Sequence, residues 1–416
     1  MRRVPVVSAS GPSYNPPGTG NAQTGRVIMR LAILSWESLH SIAVGGLAAH
    51  VSELADALVR RGHDVHVFTR MGQGQHYCDC INGVHYHRCP VPANPNFVEY
   101  IESMCDAMVQ RVRETERFFG ERFDVIHGHD WLVSRALVKI KNELNRPVLM
   151  TIHSTEYGRC GNEFRNGISP RIRHAEWEGA YVARKVICVS RALRDEVAWL
   201  YQVPPDKMEV IYNGVEVNRF DIEVDASAVR RGLEIEQDDP FVLFAGRLAW
   251  QKGPDMLVDA IPGVLRSHPH AKFVLAGDGD MRHDLERRVD RHGVSHATRF
   301  AGYRAGRDLV KLFKSSDAVC VPSRNEPFGI VILEAWSAGK PVVATQSGGP
   351  AEFVSHRHTG LTVSIDTDSI GAGLDETFDD MDNARRMGRN GRHEVETAFT
   401  WDIIASQTQD IYQSIC

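Results

Sequence analysis

A chain of 416 residues, 43% hydrophobic and 24% charged, exceeds one compact core and has the balance of a soluble globular protein of two domains. Its net charge of −5 supplies no global field for nucleic acid or an acidic membrane. No apolar run approaches the ~20 residues that cross a bilayer, which leaves only peripheral contact with a membrane open.

Residues 1–28 are rich in Pro, Gly, Ser and Asn and lack an apolar signal core, so they are expected to be a disordered leader, with Met29 an alternative start. From Leu31 onward, short β-branched runs alternate with amphipathic helical stretches. The first series is LAILSW (31–36), DVHVFTR (64–70), DVIHGH (124–129), VLMTIH (148–153), KVICVS (185–190) and MEVIYNG (208–214). The second is FVLFAGR (241–247), AKFVLAGDG (271–279), TRFAGY (298–303), DAVCVPS (317–323), PVVATQ (341–346) and GLTV (360–363). Continuous apolar strands alternating with helices predict α/β architecture, two doubly wound parallel sheets covered on both faces. The polar stretch 218–240 between the series reads as a linker. Eight cysteines, several within apolar strands, fit no small disulfide framework and point to a reducing cytoplasm.

In doubly wound sheets, ligands bind beyond the carboxyl ends of the strands. The unusual polar residues fall there: His129, Asp130, His153, Arg247, Asp278, Ser323 and Glu326. Arg247 and Lys252, five residues apart after one strand, suit a pyrophosphate as a planar fork and a point charge; alone they could be ordinary surface cations. Glu326 and Glu334, placed two turns apart on nearly one helix face, could hold hydroxyls at both ends of an elongated ligand, or be solvated glutamates. Gly45 and Gly46 open a helix whose amides could approach phosphate, or form a plain tight turn. His153 could donate a hydrogen bond or move a proton, or be structural; His129, Asp130 and Trp131 could hold a sugar, with a helix cap at Asp130 as the plainer reading. Trp36, Tyr157 and Trp177 suit sugar stacking and a core equally. The run HYCDCINGVHYHRC, with His76, Cys78, Cys80, His85, His87 and Cys89, predicts a hairpin about Asn82-Gly83. Its spacing departs from the usual zinc forms, so it reads as a polar hairpin beside the cleft and no metal is expected.

Taken together, the motifs VGGLAAHVSELADALVRRGHDV, HGHDW, TIHSTEYGR, VSRALRDEV, VIYNGVE, GRLAWQKG, LAGDG, NEPFGIVILEAWSAGKPVVAT and FTW, in this order, resemble the retaining GT-B glycosyltransferases of the group 1 type from Met29 to the end. SWES, VGGL, HGHDW and TIHSTEYGR are most similar to the glycogen-synthase-like α-1,4-glucosyltransferases. The resemblance implies an acceptor-side domain over 29–220, a donor-binding domain over 236–400, and a terminal helix over 401–416 that returns to the first. It implies that Glu326 faces the donor hexose, that backbone amides at Phe328, Gly329 and Ile330 hold its hydroxyls, and that Glu334 binds the ribose. Arg247 and Lys252 would neutralise the diphosphate, Gly45 and Gly46 would flank it, and His153 would assist the transition state. His129, Asp130, Trp131 and Glu156 would lie on the acceptor side. Val44 stands where glycogen synthases carry a Lys-Thr pair before the glycines. The implied substrates are a nucleotide sugar, UDP- or ADP-glucose, and an α-glucan, with no cofactor; a lipid-linked or small sugar or polyol acceptor, or a nucleotide-sugar epimerase, are the alternatives.

Overall fold

The computed structural model describes residues 28–416, so the expected leader, Ile28 apart, lies outside the described residues. Each apolar run named above forms a strand. The first sheet contains β1 (Arg30–Leu34), β2 (Asp64–Arg70), β3 (Cys78–Ile81), β4 (Val84–Cys89), β5 (Val125–His129), β6 (Val148–Ile152), β7 (Lys185–Cys188) and β8 (Met208–Val210). The second contains β9 (Phe241–Ala245), β10 (Lys272–Ala276), β11 (Thr298–Gly302), β12 (Ala318–Val321), β13 (Val342–Thr345) and β14 (Gly360–Val363). Helices cover both faces, which is why the inner strands are buried along most of their length and read as unbroken apolar runs, while the edge strands β3, β8 and β11 are partly open.

Strand order is β3-β4-β2-β1-β5-β6-β7-β8 in the first sheet and β11-β10-β9-β12-β13-β14 in the second. All pairings are parallel except β3 with β4. That hairpin turns at Asn82 (φ 55°) and Gly83 (φ 84°), the left-handed pair that a two-residue I′ turn requires. It joins the sheet through parallel pairing of β4 with β2 and forms the outer edge, separated from β1 by β2. The winding direction reverses between β1 and β5 and again between β9 and β12. Each reversal leaves a crevice beyond the strand ends.

The polar stretch after β8 is more ordered than a bare linker. Asp225 caps a helix over Ala226–Gly232, and the buried Arg230 binds Asp317 and the Asp239 carbonyl, which fastens the stretch to the second domain. The domains touch through packed aromatics, with Tyr212 against Phe328, Phe353 and Phe399. The Glu352 carboxylate accepts from the first two amides of the helix Arg191–Tyr201 at 3.0 and 2.6 Å, where the helix dipole favours an anion. The helix Trp401–Ile415 packs on the helix Gly46–Arg60, and Trp401, Ile404, Tyr412 and Ile415 complete the core on that side of the first sheet.

Candidate active site

The second crevice is built where β9 and β12 end. After β9, the chain turns at Gly253 (φ 63°), where an added Cβ would lie 2.0 Å from the Pro322 carbonyl oxygen; only glycine lets this loop close on the end of β12. That closure brings Lys252 Nζ to 2.7 Å from Glu326 Oε2, which also accepts from Ser323 Oγ at 2.9 Å. Glu326 is 4% exposed, so this ion pair works in a poorly solvated setting. Arg247 is exposed and its side chain has no hydrogen bond or ion pair among the described residues, leaving its guanidinium open to a ligand.

The helical phase expected for Glu326 does not hold. The helix spans Ile330–Ser337 and starts after Gly329 (φ 98°), so Glu326 lies in the preceding turn and Glu334 lies mid-helix. No side chain among the described residues caps this helix, and its N-terminal end faces the glycine loop: a Cβ on Gly46 would lie 3.4 Å from Ile330 Cδ1. Phe328 is buried against Tyr212 and Phe353. A second glycine pair, which the sequence reading passed over, supports the turn. Ser347 Oγ accepts from Glu326 N at 3.2 Å, and Gly349 N donates to Glu326 O at 2.9 Å. A Cβ on Gly348 (φ 62°) would meet that carbonyl oxygen at 2.2 Å. The signal was available as Ser-Gly-Gly-Pro directly after β13.

Glu334 is gripped rather than open. Arg219, from the segment after β8, binds Glu334 at 3.1 Å and Glu53 of the first domain at 2.9 Å, while Trp401 Nε1 donates to Glu53. Burial pushes the Glu334 carboxyl up to about 7, partly offset by Arg219 and reinforced by Glu53.

The first crevice has a different chemistry. Asp130 adopts φ 58°, ψ 173°, a strained backbone for a non-glycine residue, and its carboxylate does not cap the turn that follows. Instead it accepts from His153 N at 2.7 Å. Burial raises its carboxyl to about 6, against the lowering effect of Arg159. His129 Nδ1 lies 3.1 Å from His153 Nε2, and His50 Nδ1 donates to Asn213 Oδ1 at 2.8 Å. Burial pushes His153 down to about 3 and holds His50 and His129 well below the ordinary range, so all three rings are neutral at pH 7. One nitrogen from each lies within 4.8 Å of the others; the neutral trio could hold a cation or a water. His127 continues this ladder between Thr151 (2.7 Å) and Tyr412 (2.9 Å). His50 and Asn213 lay outside the sequence reading because each is one polar residue in an otherwise ordinary helix or loop.

Gly45 precedes the helix, and its amide is taken. Glu37, after β1, accepts from Gly45 N at 2.9 Å and from Val44 N. Trp131 sits in the wall of a groove with Val98, Arg135 and His174, edge-on to Phe97. Glu156 is brought inward: Arg159 binds its carboxylate at 3.2 Å and Glu176 at 2.7 Å. Trp36 stacks beneath Arg70, Tyr157 packs on Trp199, and Trp177 stacks on Tyr181.

Residues 225–394 match the family described as Glycosyl transferases group 1, and residues 44–219 match Glycosyltransferase Family 4. A glycosyltransferase of Methanocaldococcus jannaschii, named as uncharacterized, is 38% identical over 390 residues, covering 92% of this chain and 98% of that protein. A glycogen synthase of Mycobacterium tuberculosis is 29% identical over 399 residues, covering 92% and 94% respectively. Among solved structures, the sucrose-phosphate synthase of Thermosynechococcus elongatus superposes with a TM-score of 0.79 at 23% identity, covering 93% of this chain and 98% of that one, a likeness of fold. The chain belongs to the group 1 glycosyltransferases and has their GT-B architecture of two facing α/β domains.

Proposed function

We propose that the protein is a retaining hexosyltransferase that moves glucose from UDP- or ADP-glucose to an α-glucan. The observation that carries this reading is the cation arrangement at the second crevice. Arg247, with no side-chain partner among the described residues, Lys252 on a buried carboxylate and an uncapped helix end all follow strand ends at this crevice, where a diphosphate would meet positive potential.

In the reaction, the acceptor hydroxyl forms its bond to the anomeric carbon on the face that the diphosphate leaves. The carbon–oxygen bond to the diphosphate breaks, and a departing phosphate oxygen takes the hydroxyl proton. Arg247 and Lys252 carry the accumulating charge, and Glu326 turns from Lys252 to the hexose hydroxyls. Amides at Phe328, Gly329 and Ile330 hold the sugar from the turn, and Glu334 exchanges Arg219 for the ribose. Gly45 and Gly46 come close to the phosphates only once Glu37 yields. On the acceptor side, Asp130 fixes His153, with His129 and Trp131 behind. The glycogen synthase relative supports glucose and a glucan. Val44, in place of the Lys-Thr pair, favours the second reading, a small sugar, polyol or lipid-linked acceptor. The cysteines are all free, which suits a reducing cytoplasm, and no described helix is long and apolar enough to cross a membrane.

The test is a panel of UDP-, ADP- and GDP-hexoses with maltooligosaccharides, read by nucleotide release and by NMR of the product. An α-linked glucoside supports the reading. A β-linked product overturns retention, and an epimerised donor without acceptor overturns transfer.

A further inference from the structure

The reaction makes no use of the outer hairpin, yet one face there carries three strands' worth of metal-binding side chains in register. Cys80 on β3 pairs directly with His85 on β4, and His85 lies beside His66 on β2. One ligand atom each from Asp64, His66 and His85 lies within 4.8 Å of the other two. We propose that this face holds one divalent transition-metal ion of the zinc class, bound by Asp64, His66 and His85 and closed by Cys80.

Several observations support this set. His66 Nε2 and Asp64 Oδ1 are hydrogen-bonded at 3.1 Å; an ion would displace the shared proton, and the separation is already close to the ~3.3 Å between two ligand atoms at ~2.0–2.1 Å from a tetrahedral zinc. His85 is half-buried and has no hydrogen bond among the described residues, so its ring is free to close the remaining distance. Cys80 Sγ lies outside this 4.8 Å group, but directly opposed residues of an antiparallel pair hold their Cβ atoms ~4.5–5.5 Å apart, so a turn of the exposed Cys80 side chain brings its thiol to an ion on His85.

The supporting shell is already in place. Arg30 Nε donates to the other Asp64 oxygen at 2.6 Å, and His66 Nδ1 lies 2.9 Å from His87 Nε2. His87 Nδ1 in turn lies 3.6 Å from Cys78 Sγ. With Nδ1–H of His66 donated to His87, the Nε2 lone pair is freed for the ion, the usual way a second partner sets a ligand's tautomer. Phe119 and Phe123 stand edge-on to the His66 ring at 5.5 and 5.1 Å and keep water from that side. Binding releases the Cys80 thiol proton to solvent. The thiolate and the Asp64 carboxylate then balance the two positive charges. Such an ion would fasten a four-residue edge strand to β2.

Cobalt(II) reports both geometry and sulfur ligation. The full chain, without a histidine tag and stripped with a chelator, is titrated with cobalt and followed by absorption; metal content is measured on protein purified without chelator. Expected are one zinc per chain as purified, and a saturable one-equivalent cobalt spectrum with tetrahedral visible bands and a near-ultraviolet thiolate band. The spectrum persists in Cys78→Ser, loses the thiolate band in Cys80→Ser, and needs at least tenfold more cobalt in His85→Ala. All three substituted sites are exposed or half-buried, and circular dichroism checks folding. Absence of a one-equivalent spectrum overturns the proposal. So does a spectrum without the thiolate band in wild type, or one unchanged in Cys80→Ser and His85→Ala.

Discussion

The two crevices face each other but solve opposite problems. At the end of the first sheet, the buried His50 and His129 and the partly buried His153 are neutral and bonded to one another or to Asn213. At the end of the second, Arg247, Lys252, Glu326 and Glu334 are charged or poised to be, and the side chain of one, Arg247, has no partner among the described residues. A neutral wall shapes a pocket and orients hydroxyls at little electrostatic cost, whereas fixed cations stabilise charge that appears only during reaction. In the proposed reaction, this asymmetry would put the bond-breaking work in the second domain and the positioning work in the first.

The sharpest way to break this contrast is to remove the cations one at a time. Arg247→Ala is expected to lower kcat by about 10²–10³-fold. Its urea midpoint should stay unchanged, because the side chain is exposed and unpaired. Lys252→Ala should lose activity and also stability, by about 3 kcal/mol, since it strands the buried Glu326 carboxylate. Equal stability of the two variants in urea titrations would refute the distinction.

Glycines sharpen it next. Gly62 (φ 92°), in the first domain, has open space around its missing Cβ, and Gly62→Ala should cost about 1 kcal/mol of strain. Gly348→Ala adds a collision with the Glu326 carbonyl and should cost about 2–3 kcal/mol, with kcat falling as the glutamate shifts. Equal losses would mean that the Ser347–Gly349 support is idle.

A last lever on the contrast is pH. Glu334 keeps its proton up to about 7 in the folded protein, against a model-peptide value near 4.5 for the open chain. Between those values the folded state binds the extra proton, so this residue makes stability fall as pH rises, by at most about 1.4 kcal/mol per unit. Glu334→Gln should flatten that part of the curve, compared with wild type by urea midpoints at pH 5 and pH 7. An identical slope in both proteins would place the carboxyl at its ordinary value.

Much of this architecture was legible because buried parallel strands cannot hide: each is a short apolar run, and Arg247, Ser323 and Glu326 follow such runs directly. The hairpin at Asn82-Gly83 was legible from turn chemistry. Pairings between distant elements were not. Nothing local to Arg219 announces Glu53 and Glu334, and nothing in the run from His76 to Cys89 announces Asp64 and His66, which arrive from β2 only through the register of the sheet. Glu326 was assigned to a helix it precedes because Pro327 and Gly329 mark a helix start without saying on which residue it begins. Glu156 looked available beside His153 until Arg159, one turn on, claimed it.

The return of the helix Trp401–Ile415 to the first sheet has a consequence for biosynthesis. Strands β1 to β8 emerge from the ribosome early, yet the indole and phenol that seal one face of their core, Trp401 and Tyr412, are translated only after the whole second sheet. The later domain therefore has all its own parts first, while the earlier one waits with an open apolar flank, a period in which chaperones would find it.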